Sequence, residues 1–364
     1  MKWLLVFVPV AIVLSYVLPD NPGIVFLAAV LGLIPLAASL GEATEHLAFH
    51  TGEAVGGLLN ATFGNLAELL ILFAVLRSGL FDVVLAGIYG AILVNALLAT
   101  GLAMLFGGTK KHIQKFHTEN PYELSTLLAI AVFALAIIAV IEGSAVPVLP
   151  AVAVVSAESA VPAVTTVANT GVNASGIVAV FLLIGYAMYL IFSLVTHKEL
   201  FASTQHTGET AWSVKKALTQ LVLVTLGVVW ISEILSGSVE KVMHTYHLNE
   251  AFVGAVVIAI LGGAAEMAAA VRAARADRMD LALSITMGAS VQIVLFVAPC
   301  LVLMSYVLSP EPMSLLFKPG PVILLFMAVV IVAAIARDGK STWYKGALLI
   351  LLYVIIATGL YLKP

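Results

Sequence analysis

The chain alternates long apolar runs with short polar or Pro/Gly-rich punctuation. Eleven runs approach the roughly 17 to 25 residues that a helix needs to cross a hydrocarbon core. They extend from Trp3 to Leu18, Gly23 to His46, Val55 to Leu76, Val83 to Phe106, Leu124 to Ile141, Ser175 to Thr196, Leu218 to Leu235, Phe252 to Ala274, Leu281 to Val307, Val322 to Ala336 and Ala347 to Leu362. The first is preceded only by Lys2 and ends in Val17-Leu18-Pro19-Asp20, with no small-residue cleavage pattern, so a retained helix is expected there and not a signal peptide. The pattern predicts an all-α integral membrane protein of eleven transmembrane helices.

Composition agrees. Hydrophobic residues make up 62% of the 364 positions and charged residues 10%, against about 25% charged in ordinary globular proteins. Such a surface must face lipid. Seventeen Lys and Arg against twenty Asp and Glu, without a basic tract, exclude nucleic acid as a partner. The single cysteine, Cys300, excludes an internal disulfide framework and any Cys-rich metal site. With the N-terminus inside, thirteen of the seventeen basic residues fall on the inner side, and only Arg77, Lys241, Lys318 and Lys363 fall outside. This bias predicts a cytoplasmic N-terminus and an external C-terminus. Residues 143–173 then form an outer loop or re-entrant segment, where Asn173 would fit a glycosylation sequon.

A shift of 198 residues aligns the third run with the eighth and continues into the next helix. Gly64 meets Gly262, Glu68 meets Glu266, Arg77 meets Arg275, Asp82 meets Asp280 and Gly90 meets Gly288. Three charged matches at one offset, in a chain so poor in charge, mark an internal repeat. The second copy starts five helices after the first, an odd displacement, so the copies enter the membrane from opposite sides. That architecture recurs in secondary transporters.

Glu68 and Glu266 lie near the middle of their spans, where a charge costs about 2.5 to 3.5 kcal/mol on insertion scales. Each follows a glycine break, Gly64 or Gly262-Gly263, able to interrupt the helix and turn backbone carbonyls towards a cavity. Two carboxylates plus carbonyls form an all-oxygen site suited to Ca²⁺, and the absence of neighbouring His or Cys disfavours zinc or copper. Asn65, Asn95 and Gln292 supply further amide oxygens, either as ligands or as interhelical hydrogen-bond partners. Like charge and desolvation both oppose having two ionised carboxylates together, so without a cation the pair takes up protons. Serving Ca²⁺ and H⁺ in turn is the chemical basis of antiport. Glu45 and Glu233, on the helices preceding the two site helices, are candidates for the ion path or its gates, or are snorkelling acids at helix ends. Glu42, His46 and His50 share a helix face, which reads as an interfacial polar face or, in a different class of function, as an intramembrane metal-dependent hydrolase site.

These residues resemble the calcium/cation antiporter superfamily and, within it, the calcium/proton exchangers. The run Asn60-Ala-Thr-Phe-Gly-Asn-Leu-Ala-Glu-Leu-Leu is similar to that branch's first signature, and Gly262-Gly-Ala-Ala-Glu-Met-Ala-Ala-Ala to its second. The resemblance covers essentially the whole chain. It implies one peripheral helix (1–19), two inverted five-helix repeats (22–196 and 214–364) and a cytoplasmic linker (197–213). It also implies Ca²⁺ at Glu68 and Glu266, and alternating access by movement of the second and seventh helices. Gly263 and Met267 stand where the second signature usually has Asn and His, and the linker offers only Glu199 and Glu209. The expected function is export of cytoplasmic Ca²⁺ across the cell membrane against inward H⁺, with Ca²⁺ as substrate and no cofactor. A sodium-coupled or other-divalent exchanger of the same fold is the alternative, and a homo-oligomer is left open.

Overall fold

The computed structural model describes residues 2–51, 53–109, 111–143, 163–197, 212–309 and 311–362. The core of the 143–173 segment (144–162), most of the predicted linker (198–211, with Glu199 and Glu209) and Lys110, Lys198 and Lys363 lie outside the described residues.

Each of the eleven apolar runs is helical. The first is a short 3-10 turn leading into α1 (Phe7–Val17). It is followed by α2 (Pro22–Phe49), α3 (Glu53–Phe63), α4 (Leu66–Arg77), α5 (Phe81–Gly108), α6 (Glu119–Gly143) and α7 (Ala163–Ile191). The second half comprises α8 (Val214–Tyr246), α9 (Glu250–Gly262), α10 (Ala264–Arg275), α11 (Met279–Leu308), α12 (Pro319–Asp338) and α13 (Trp343–Leu362). Among the described residues, eight helices are long and apolar enough to cross a membrane, and α9 with α10 makes a ninth when the bent pair counts as one span. The predicted first run is shorter than these, and the third is divided into α3 and α4.

Apolar faces bury α2 against α8, two of the longest helices. The halves interlock around this pair. Helix α4 packs on α8, α10 packs on α2, and α5 crosses the start of α9. At that crossing the backbones touch: a Cβ on Gly90 would collide with Ala255, and one on Gly254 would collide with Val83 and Ala86. Glycine there is a packing requirement, because any side chain would push the helices apart.

Segments predicted to share a side meet one another. Lys318 pairs with Asp82 at 3.2 Å on the predicted outer side. On the predicted inner side Lys111 pairs with Asp277, and Lys345 pairs with Asp338. There too Gln114–Lys115 (β1) and Lys340–Ser341 (β2) form a two-stranded antiparallel sheet.

Candidate functional site

The two glycine breaks are real and alike. Gly64-Asn65 separates α3 from α4, and Gly263 separates α9 from α10 with a bend of 54°. Asn65 has φ −94° and ψ 11°, and Gly263, its partner at the 198-residue shift, has φ −83° and ψ 9°. Each break therefore starts a new helix, with Glu68 or Glu266 in the first turn. A carboxylate there faces the positive end of the helix dipole, while the preceding helix directs its carbonyl end at the same place. The carbonyls of Asn65, Ala259 and Gly263 all accept backbone hydrogen bonds across the breaks, so each offers only a second lone pair and not the free carbonyl the glycines suggest.

Tertiary packing brings the breaks together. Glu68 is 5% exposed and lies against the opposite break: a Cβ placed on Gly262 would sit 3.2 Å from its Cγ and 3.3 Å from its Oε1. Glu68 also lies within electrostatic range of Glu266, whose Oε2 is buried with no hydrogen-bond partner. Asn65, 4% exposed, donates from Nδ2 to Gln292 Oε1. Asn95 is 1% exposed, and its Oδ1 has no partner. Of the three amides, two therefore form an interhelical bond and the third carries a free buried acceptor.

A shared irregularity adjoins Asn95 and Gln292. Residues Val94–Ala99 of α5 and Ile293–Val297 of α11 are π-helical turns at matching places in the repeat. Each inserts an extra residue that rotates the following turn, a feature frequent at functional sites. Thr100, just beyond the first π turn, donates to Thr286 at 2.9 Å and ties α5 to α11. Neither threonine nor the π turns were recognisable from apolar periodicity, because single-residue insertions leave the hydrophobic run intact.

Glu45 and Glu233 stay apart from this centre. Glu45 is exposed near the end of α2. Glu233 pairs with Arg77 at 3.6 Å, beside a Ser78–Ser236 hydrogen bond of 2.7 Å that also joins α4 to α8. In the sequence Arg77 is a repeat match and an outer-side charge; its pairing with Glu233 is visible only in three dimensions. The Glu42, His46 and His50 face is occupied structurally. His46 stacks on Trp212 with centroids 4.2 Å apart, and His50 Nε2 lies 2.6 Å from the Trp212 carbonyl oxygen. Among the described residues no three His, Cys, Asp or Glu side chains are grouped to hold a metal. The hydrolase reading fails on that geometry, since both imidazoles are committed to anchoring the end of the linker.

The sodium/calcium exchanger protein family matches this chain over residues 22–195 and 216–362. The chain is similar to the Ca²⁺/H⁺ antiporter of Aphanothece halophytica, with 35% identity over 377 residues covering 99% of this chain and 96% of that one. It is also similar to the Ca²⁺/H⁺ antiporter ChaA of Bacillus subtilis (strain 168), 36% identical over 91% of this chain and 90% of that one. Among solved structures, native YfkE superposes with a TM-score of 0.79 at 31% identity, covering 98% of this chain and 97% of that one. The chain thus belongs to the sodium/calcium exchanger protein family and is an integral membrane transporter, not an enzyme.

Proposed function

We propose that this protein is a secondary antiporter that exchanges cytoplasmic Ca²⁺ for external H⁺, with Glu68 and Glu266 carrying the two ions in turn. The observation that supports it most directly is the meeting at two helix breaks of two repeat-related carboxylates, Glu68 buried and Glu266 half-buried with its Oε2 enclosed, in a chain whose relatives are named Ca²⁺/H⁺ antiporters. Two carboxylates so placed repel unless a divalent cation or protons neutralise them, so occupancy by Ca²⁺ and by H⁺ are mutually exclusive. Asn65, Asn95, Gln292 and the breaks at Gly64, Gly262 and Gly263 complete the oxygen environment. Glu45 and Glu233 belong to the ion path or its gates.

The proposed layout is eleven crossings: a peripheral helix (1–19) and two inverted repeats (22–196 and 214–364) joined by a cytoplasmic linker. The N-terminus is cytoplasmic, the C-terminus external, and the cell membrane is the site of action. Alternating access follows from displacement of α2 and α8: α2 packs on the helices flanking both breaks, and α8 packs on α2 and α4. In sealed proteoliposomes an acidic lumen should drive Ca²⁺ accumulation in the absence of sodium. Uptake driven by sodium and indifferent to pH would replace this reading with the sodium-coupled alternative.

A further inference from the structure

The two halves of the site match in backbone and differ in one side chain. Asn65 and Gly263 occupy equivalent positions with nearly equal dihedral angles, and each precedes its glutamate by three residues. In the first half the Asn65 amide reaches across to α11 and occupies Gln292 Oε1. In the second half Gly263 faces α5, where Asn95 Oδ1 is buried and unpartnered.

Nothing in the fold demands glycine at 263. Its φ of −83° suits any residue. A Cβ there would make ordinary contacts, 3.4 Å from Asn95 Oδ1 and 3.5 Å from Val94 Cγ1. Gly262 next to it differs, because its Cβ would press on Glu68. Glycine also costs conformational entropy, and a buried acceptor without a donor costs about 1–3 kcal/mol. Both costs are offset if the free oxygen serves the ion.

We infer that Gly263 determines cation selectivity: by withholding a side-chain donor it leaves Asn95 Oδ1 as an additional neutral oxygen ligand, favouring a large divalent cation of high coordination number. Ca²⁺ accepts six to eight oxygens in flexible geometry, whereas the smaller Mn²⁺ is satisfied by six. The amide of Gln292 cannot serve equally, because Asn65 already holds its oxygen. This inference rests on the two-glutamate cation site.

The test is competition between Ca²⁺ and Mn²⁺ for pH-driven uptake in proteoliposomes, read as a ratio within each variant of the full chain. Gly263→Asn supplies the missing donor to Asn95 and should lower the preference for Ca²⁺ over Mn²⁺ by about five- to tenfold, the weight of one hydrogen bond. Gly263→Ala adds volume without a donor and should stay within about twofold of the parent on the same scale. Asn65→Gly, which places in the first half the residue the second half tolerates, should release Gln292 Oε1 and shift the ratio the opposite way. This variant carries the test if Gly263→Asn does not fold. An unchanged ratio in both Gly263→Asn and Asn65→Gly overturns the inference. Equal shifts in the Ala and Asn variants, or loss of all uptake in folded Gly263→Ala, overturn it as well, since packing would then be the cause. Failure of the underlying site looks different: robust Ca²⁺ uptake by folded Glu68→Gln.

Discussion

At the scale of single residues, the proposed exchange rests on two carboxylates, Glu68 and Glu266. Glu68→Gln and Glu266→Gln keep the side-chain volume and remove the charge, so each should abolish Ca²⁺ flux while leaving the thermal melting profile near that of the parent. Retained flux in either folded variant would refute the shared site. Asp277 shows the opposite environment, at the turn between α10 and α11. Its backbone is left-handed, with φ 63°, and the Lys111 ammonium and the Gln114 amide both donate to its carboxylate, holding its carboxyl below the ordinary 3.8. A lowered folded value means that the stability from this contact is present above the ordinary carboxylate range and is lost as pH falls through the lowered value. Asp277→Asn tolerates the left-handed turn but cannot form the ion pair. It should melt below the parent at neutral pH, with the difference vanishing in strong acid; a difference that persists unchanged there would assign the effect to packing.

At the scale of elements, the repeat supplies its own control. Gly90 in α5 and Gly288 in α11 are equivalent by sequence, yet a Cβ on Gly90 would strike the Ala255 backbone of α9, whereas nothing lies within 4 Å of one on Gly288. Gly90→Val should therefore destabilise by about 1–3 kcal/mol or more, as overpacking does, and depress transport with it. Gly288→Ala should raise stability by up to about 1 kcal/mol through helix propensity alone. Melting of the purified variants in detergent measures both, and equal effects at the two positions would contradict the asymmetric crossing. The glycine pattern was legible in the sequence as an alignment of small residues. Which of the two glycines carries a helix contact was not, because that depends on the path of α9, a partner more than 160 positions away from Gly90.

At the scale of the whole molecule, the proposed odd number of crossings and the proposed exchange at two carboxylates set measurable limits. In a Cys300→Ala background, single cysteines at Lys111 and Tyr361 should be labelled from the inside and the outside respectively. Labelling of both from one side would remove the odd count and the inverted repeat together. One Ca²⁺ exchanged for two protons moves no net charge, so collapsing the membrane potential at a fixed pH gradient should leave the flux unchanged. A third proton would make the flux voltage-sensitive, at about 2.3 kcal/mol per elementary charge per 100 mV. It would also require a third carrier: Glu45, Glu233, which pairs with Arg77, or another group.

Helix positions and the membrane class were legible in the sequence itself, as were the two glutamates proposed to carry the ions. Each is a local property: an apolar run must bury its backbone in its own hydrogen bonds, and a lone acid or glycine inside such a run stands out whatever surrounds it. Tertiary structure alone decided the rest. It paired Asn65 with Gln292 and left Asn95 free, joined Arg77 to Glu233, and turned the His46 and His50 face into an anchor for Trp212. These choices depend on which helix faces cross. In a chain this uniformly apolar the pattern along any one helix barely distinguishes a lipid-facing side from a protein-facing one, so only packing, with its small residues and few buried polar groups, selects the partners.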